Sequence, residues 1–176
     1  SVMRLWKNLG DDYFIRENAK TIAWHTRTIL NHQVDGPLVA ISETSFSAFE
    51  GGTQVFVYTQ DKANLFAALC AILGQLHLDI QDARIITTED GYSMDTFVVL
   101  DNSGNTINQT PALLEQLKQR LTKALRYPDE FPYIVQQRQP RIHKLFNQSA
   151  SVSLSNPKGR SWTRLELSSA DRPGLL

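Results

Sequence analysis

Cysteine, methionine and net charge are all scarce in this sequence. Of 176 residues one is cysteine and two are methionine, while 18 Lys and Arg balance 18 Asp and Glu to a formal net charge of zero. A single cysteine excludes an intrachain disulfide. Cys70 lies in an apolar run, residues 65–76, and reads as core packing rather than as a reactive thiol. The charge balance lacks the basic excess of a dedicated nucleic-acid binder, so no nucleic acid is expected as a partner and a small molecule or a protein is. No apolar stretch reaches the roughly 18–20 residues of a membrane span, and Ser1-Val2-Met3-Arg4 has no signal-peptide layout. A cytoplasmic setting away from membranes is the expectation. The remaining composition, 41% hydrophobic and 20% charged, is that of a globular chain.

An internal repeat is the most informative feature present. Residues 53–66 align without a gap on residues 163–176: Thr53 falls on Thr163, Asp61 on Asp171, Lys62 on Arg172 and Leu65 on Leu175. Val55 and Val57 meet Leu165 and Leu167, so the period-2 apolar face is kept. Each copy reads as a strand, a turn opened by Asp, and the start of a helix, because an Asp carboxylate accepts backbone N–H bonds at turns and N-caps. In the second copy Pro173 pre-sets the backbone and Gly174 permits close approach. The helix that should follow begins at the last residue, so the protein is expected to continue.

The first copy can be followed further. Leu65, Phe66, Leu69, Ile72, Leu73 and Leu76 form a helical stripe within residues 64–77. A strand over 78–87, a hairpin turn at Glu89-Asp90-Gly91 and a strand over 93–100 follow. Thr110-Pro111 opens a second helix with Pro at its first position, and Leu113, Leu114, Leu117, Leu121 and Leu125 supply its stripe. Residues 127–149, with Pro128, Pro132 and Pro140, read as a long linker leading to a short final strand over 151–155. The order βαββαβ predicts an α+β, ferredoxin-like domain with two helices on one face of a four-stranded antiparallel sheet.

The N-terminal part differs. Residues 5–34 read as two helices, residues 38–41 as an added strand, and Asp35-Gly36-Pro37 as the break between them. The expected organisation is a helical segment over 1–37, a first domain over 38–156 with the added strand and linker, and the truncated start of a second domain over 161–176.

Residues 163–176, ending Asp171-Arg-Pro-Gly-Leu-Leu176, resemble the first strand and loop of an ACT domain, a small amino-acid-binding regulatory module; residues 53–66 resemble it less well, with Asn64 at the Gly position and Ala63 at the Pro position. Together with Ala23-Trp24-His25-Thr26-Arg27 and Phe56-Val57-Tyr58, the order of these motifs resembles the C-terminal regulatory region of the bifunctional uridylyltransferase/uridylyl-removing enzymes that modify the PII signal protein. The resemblance implies that residues 1–37 end an HD-type domain and that the PII protein is the partner of the whole enzyme. It also implies that glutamine is the effector, and that Mg2+ and UTP serve the whole enzyme while no cofactor serves this region.

The chemistry of such a site can be argued from the residues. A helix N-terminus carries unpaired N–H groups and partial positive charge, which suit an α-carboxylate. Asp at the mouth of the turn can accept from an α-ammonium, and Gly or Asn at the fourth position lets the ligand approach the backbone. The candidate ligand-binding residues are Asp61, Ala63, Asn64 and Leu65, and in the second copy Asp171, Pro173, Gly174 and Leu175. With its helix missing, the second site is expected not to function here. Lys62 and Arg172 read as solvated charges. The first site is expected to bind glutamine weakly.

Catalytic readings find no support. Nucleotidyl transfer of this family needs a Gly-Ser turn and a close carboxylate pair for two metal ions, and neither Gly-Ser nor Asp-x-Asp occurs. An HD phosphohydrolase needs a His-Asp pair, which is absent too. His25 and His32 lie seven residues apart, roughly 10 Å along a helix, too far to share a metal. No catalytic residue and no metal ligand is expected. Arg138, Arg141, His143 and Lys144 read as a solvated linker cluster. Two other functions stay open: an interaction module that homodimerises through ACT sheet edges without a ligand, and the regulatory part of another ACT-regulated enzyme of amino-acid metabolism.

Overall fold

The computed structural model describes residues 1–44, 51–127, 149–156, 158–159 and 163–169. The chain divides into two compact units, residues 1–135 and 136–176. In the first, helices α1 (Val2–Lys7), α2 (Asp11–Arg16) and α3 (Ala19–Asn31) precede strands β1 (Leu38–Glu43) and β2 (Thr53–Gln60). Helix α4 (Leu65–Gln75), the β3 (Leu78–Thr87)–β4 (Tyr92–Asp101) hairpin and helix α5 (Pro111–Arg126) complete it. The second unit contributes β5 (Ser151–Ser155) and β6 (Arg164–Ser168).

The four strands of the first unit pair in the order β1-β2-β4-β3, every pairing antiparallel. The Asp-Gly turn forms as its sequence demands: Gly91 adopts φ +81, a region closed to most side chains, and its N–H donates to the Thr88 carbonyl at 3.0 Å. Between Ile80 and Asp82 a bulge shifts the register of the edge strand β3, the kind of irregularity that discourages further pairing. Pro111 takes the first position of α5, but the Thr110 side chain makes no capping bond.

Alternation divides the sheet into two faces. Val39, Val55, Val57, Phe97 and Val99 join Leu65, Leu69, Ile72 and Leu73 of α4 and Leu117, Leu121, Ala124 and Leu125 of α5 in the main core. Leu38, Phe56 and Met94 point the other way, against Leu9 and Tyr13 of the N-terminal helices and their loop. Val55, Phe56 and Val57 are all fully buried, so β2 is covered on both sides. Each such side chain contributes roughly 1.5–3 kcal/mol. The expected pair of helices on one face is present, and a helical layer covers the second face as well. That layer has three helices where two were expected. Gly10 and Asn18 are extended and interrupt it, and the Asn18 side chain accepts the Thr21 N–H at 2.9 Å to start α3.

One expectation is corrected. Residues 151–155 do not supply the fourth strand of this sheet. Leu38–Glu43 occupies the place beside β2, with Leu38 opposite Tyr58 and Glu43 opposite Thr53. The chain reaches that place through a short local connection before β2, at lower closure entropy than a return from position 151. The spatial order is that of a ferredoxin-like sheet, with the outer strand entering first instead of last. The unit is α+β.

β5 pairs instead with β6, from Ser151 opposite Ser168 to Ser155 opposite Arg164. Within the earlier repeat alignment Ser168 is the equivalent of Tyr58, the partner of Leu38, so this hairpin repeats β1–β2 in the same register. Val152, Leu154, Leu165 and Leu167 then stand where Val39, Ile41, Val55 and Val57 stand in the first hairpin. Here all four are exposed, between 56% and 68%.

Candidate functional site

The β2–α4 turn brings Asp61, Ala63, Asn64 and Leu65 together. Asp61, Lys62, Ala63 and Asn64 are exposed, whereas Leu65 is committed to the main core. Asp61 is not the helix cap. Its backbone N–H donates to the Gly91 carbonyl at 2.9 Å, tying the turn to the β3–β4 hairpin. The N-cap is Asn64, in the left-handed region at φ 63, and its side chain caps none of the first-turn N–H groups. A branched side chain would be strained there, which accounts for Asn standing where the second copy has Gly. Asp171, Pro173, Gly174 and Leu175 lie outside the described residues, as do the cluster Arg138, Arg141, His143 and Lys144 and most of the proline-rich linker.

Beneath the turn lies a group the sequence reading did not single out. Asp95 on β4 shares a face with Phe97 and Val99 and is 1% exposed. One oxygen accepts from Ser93 Oγ at 2.5 Å, and the other has no hydrogen-bond partner. Burial, opposed by the Ser93 bond and reinforced by the charge of Asp61, raises its carboxyl to about 6. The helix above is close enough to respond: burial first, then the Asp95 charge, pushes the Cys70 thiol up to about 11. Phe66 in the first turn of α4 stacks on Phe97, ring centroids 5.9 Å apart. The signal in sequence was a charged residue two positions before Phe97, on the inward parity of a strand.

The opposite face holds a second polar cluster. His25 stacks on Phe56 at 3.9 Å, lies 3.0 Å from the Tyr13 hydroxyl through Nδ1 and 3.4 Å from Thr96 Oγ1 through Nε2. Burial, then the charge of Arg84, lowers its pKa to about 3, so it is neutral at ordinary pH. Trp6 Nε1 donates to Thr26 Oγ1 at 2.9 Å, and Arg84 Nη1 donates to Glu17 Oε2 at 2.8 Å. Desolvation raises the Glu17 carboxyl, with Arg84 opposing it. Trp6–Thr26 and Tyr13–His25 tie the helices to one another, while His25 with Phe56 and Thr96, and Glu17 with Arg84, join the helical layer to the sheet. His25 is packed, and among the described residues no three His, Cys, Asp or Glu side chains gather into a metal site. Nor is any described helix long and apolar enough to cross a membrane.

A family model described as the fifth domain of uridylyltransferase GlnD matches residues 1–28, the span of α1, α2 and most of α3. Among curated proteins, the bifunctional uridylyltransferase/uridylyl-removing enzyme of Ectopseudomonas mendocina (strain ymp) is 49% identical over 98% of this chain and 19% of its own length. The protein of that name from Pseudomonas putida (strain W619) is 47% identical over 99% of this chain and 20% of its own length. The chain is homologous to a segment of these enzymes. It spans about a fifth of the length of the curated relatives it matches. Another relative, from Pseudomonas fluorescens (strain SBW25), is 47% identical over 99% of the chain. No solved structure matches the chain.

Proposed function

We propose that this chain is an effector-sensing, regulatory region of a bifunctional uridylyltransferase/uridylyl-removing enzyme, an ACT-type domain with the β2–α4 turn as its amino-acid site and glutamine as the effector. One observation carries the reading: exposed Asp61 stands at the mouth of a turn whose left-handed Asn64 leaves the α4 N-terminus without a side-chain cap. An α-carboxylate suits those N–H groups, and a carboxylate beside them suits an α-ammonium. Through the whole enzyme the signal reaches the cytoplasmic PII protein, the substrate that such an enzyme modifies. Mg2+ and UTP, needed for uridylyl transfer, are not assigned to residues of this chain, which has neither a Gly-Ser turn nor an Asp-x-Asp pair.

Calorimetric titration of the chain with L-glutamine tests the reading. Weak saturable binding is expected, with a dissociation constant on the order of 1 mM, or about −4 kcal/mol; D-glutamine should give no such heat. Absence of saturable heat with L-glutamine refutes it.

The exposed apolar side chains Val152, Leu154, Leu165 and Leu167 favour a second reading, a homodimerising interaction module with no ligand. Light scattering separates the two, because a scaffold dimerises without glutamine and gains no thermal stability from it.

A further inference from the structure

The proposed site has an unequal pair of carboxylates, one outside and one inside. Asp61 is exposed at the turn, and Asp95 is enclosed below it with one oxygen unpartnered. Neither forms an ion pair among the described residues; those pairs are Glu17–Arg84, Asp82–Arg84 and Glu166–Arg164. The other groups facing Asp95 are Ser93 on its own strand, Cys70 from α4, and the apolar cross-strand partners Val57 and Ile85. Two carboxylates with no cation between them leave room, electrostatically, for one positive charge. Among the described residues too few ligating groups gather for a metal ion. An ammonium group meets the need, since it carries one positive charge and donates to a carboxylate through charge-assisted hydrogen bonds.

We propose that Asp95 is the buried acceptor for the α-ammonium group of the amino-acid effector, with the effector's carboxylate on the first-turn N–H groups of α4. This rests on the β2–α4 turn being the amino-acid site. Because Asp95 is enclosed, the effector reaches it only when the first turn of α4, with Phe66 stacked on Phe97, moves outward. Binding therefore displaces α4, which ties occupancy of the site to the packing of the main core. Asp61 guides the ammonium group at the mouth and is the lesser contact, being solvated.

The test is calorimetry on the chain and on Asp95→Asn and Asp61→Asn, with glutamine and N-acetylglutamine, whose amide nitrogen carries no charge. Loss of a charged hydrogen bond predicts binding at least about ten-fold weaker for Asp95→Asn and only about two-fold weaker for Asp61→Asn. N-acetylglutamine should not bind the unaltered chain. Affinity of the unaltered chain should fall as pH drops below about 6, and that dependence should vanish in Asp95→Asn. Circular dichroism of the variant should match the parent. Glutamine binding to Asp95→Asn within two-fold of the parent, or equal binding of the acetylated analogue, overturns the assignment and leaves the turn as a site. If the unaltered chain takes up no glutamine, both fall together.

Discussion

Replacing Asp95 by Asn should change the stability of the domain in opposite directions at two pH values. In the folded state burial holds the carboxyl near 6, against 3.8 for the exposed group, the Ser93 bond working the other way. That interval corresponds to about 3 kcal/mol against folding once the carboxylate is ionised. Since the folded state holds the proton more tightly, this residue's contribution is fully present below pH 3.8 and is lost as pH rises through about 6. Asn keeps an acceptor for Ser93 and cannot ionise, but its amide brings two N–H donors where the protonated acid has one unpartnered O–H, so at least one more buried donor is unpaired, at about 1–3 kcal/mol. The variant should therefore be less stable than the parent near pH 4, by about that amount. At pH 7, where the parent bears the cost of the charge, it should match or exceed the parent by about 1–2 kcal/mol. Urea unfolding followed by tryptophan fluorescence at both pH values gives the comparison. A variant destabilised equally at pH 4 and pH 7 refutes the assignment of an ionised, enclosed Asp95.

Other perturbations probe the rest of the architecture. Arg84→Met strands the buried Glu17 carboxylate and should cost about 3–5 kcal/mol, whereas replacing both partners by apolar residues should cost much less; chemical denaturation of the two variants measures the difference. Phe56→Ala removes the ring beneath His25 and should lower stability by about 3–5 kcal/mol, with loss of near-ultraviolet dichroism from the tryptophans. Asn64→Gly, at φ 63, should leave thermal stability nearly unchanged while Asn64→Val costs about 1–2 kcal/mol. Leu165→Lys with Leu167→Lys should abolish dye binding or self-association arising from the second hairpin and leave the unfolding of residues 1–135 unaltered.

The elements with strong local signals were legible in the sequence. The α4 stripe, the Asp-Gly hairpin and the proline-led α5 all form where periodicity and turn chemistry put them, because local physics specifies each. The covered second face was harder to read. Its one trace was the unbroken run Val55-Phe56-Val57-Tyr58, which no half-exposed strand needs. The partners of that face, His25 and Tyr13, come from helices whose polar residues look like solvent-facing positions until the sheet is in place. Asp95 was missed for a related reason. A strand's parity shows which residues point inward, but not that an inward carboxylate keeps one oxygen without a partner. At the turn, the sequence reading made Asp61 the opening group. The cap is Asn64, since only a residue tolerant of the left-handed region fits there.

Strand order also decides where the repeat begins. Aligned from Thr53, the repeat opens on a strand that must wait for a partner from the far end of its domain. The pairing of Leu38–Glu43 with Thr53–Gln60 removes that difficulty, and the register of Ser151–Ser155 against Arg164–Ser168 shows the same device a second time. Glu43 opposite Thr53 has its counterpart in Asn156, whose side chain accepts from Thr163 Oγ1 at 2.7 Å. The repeated element is therefore the hairpin, which in the first copy opens a ββαββα unit. Such a unit closes its sheet edge with short-range contacts before its helices are needed, which lowers contact order and favours rapid formation of the strand pair. What the hairpin cannot do alone is bury Val152, Leu154, Leu165 and Leu167. In the first copy the same four positions are covered by α4 and α5, so the second hairpin presents the face that in the first copy packs on helices.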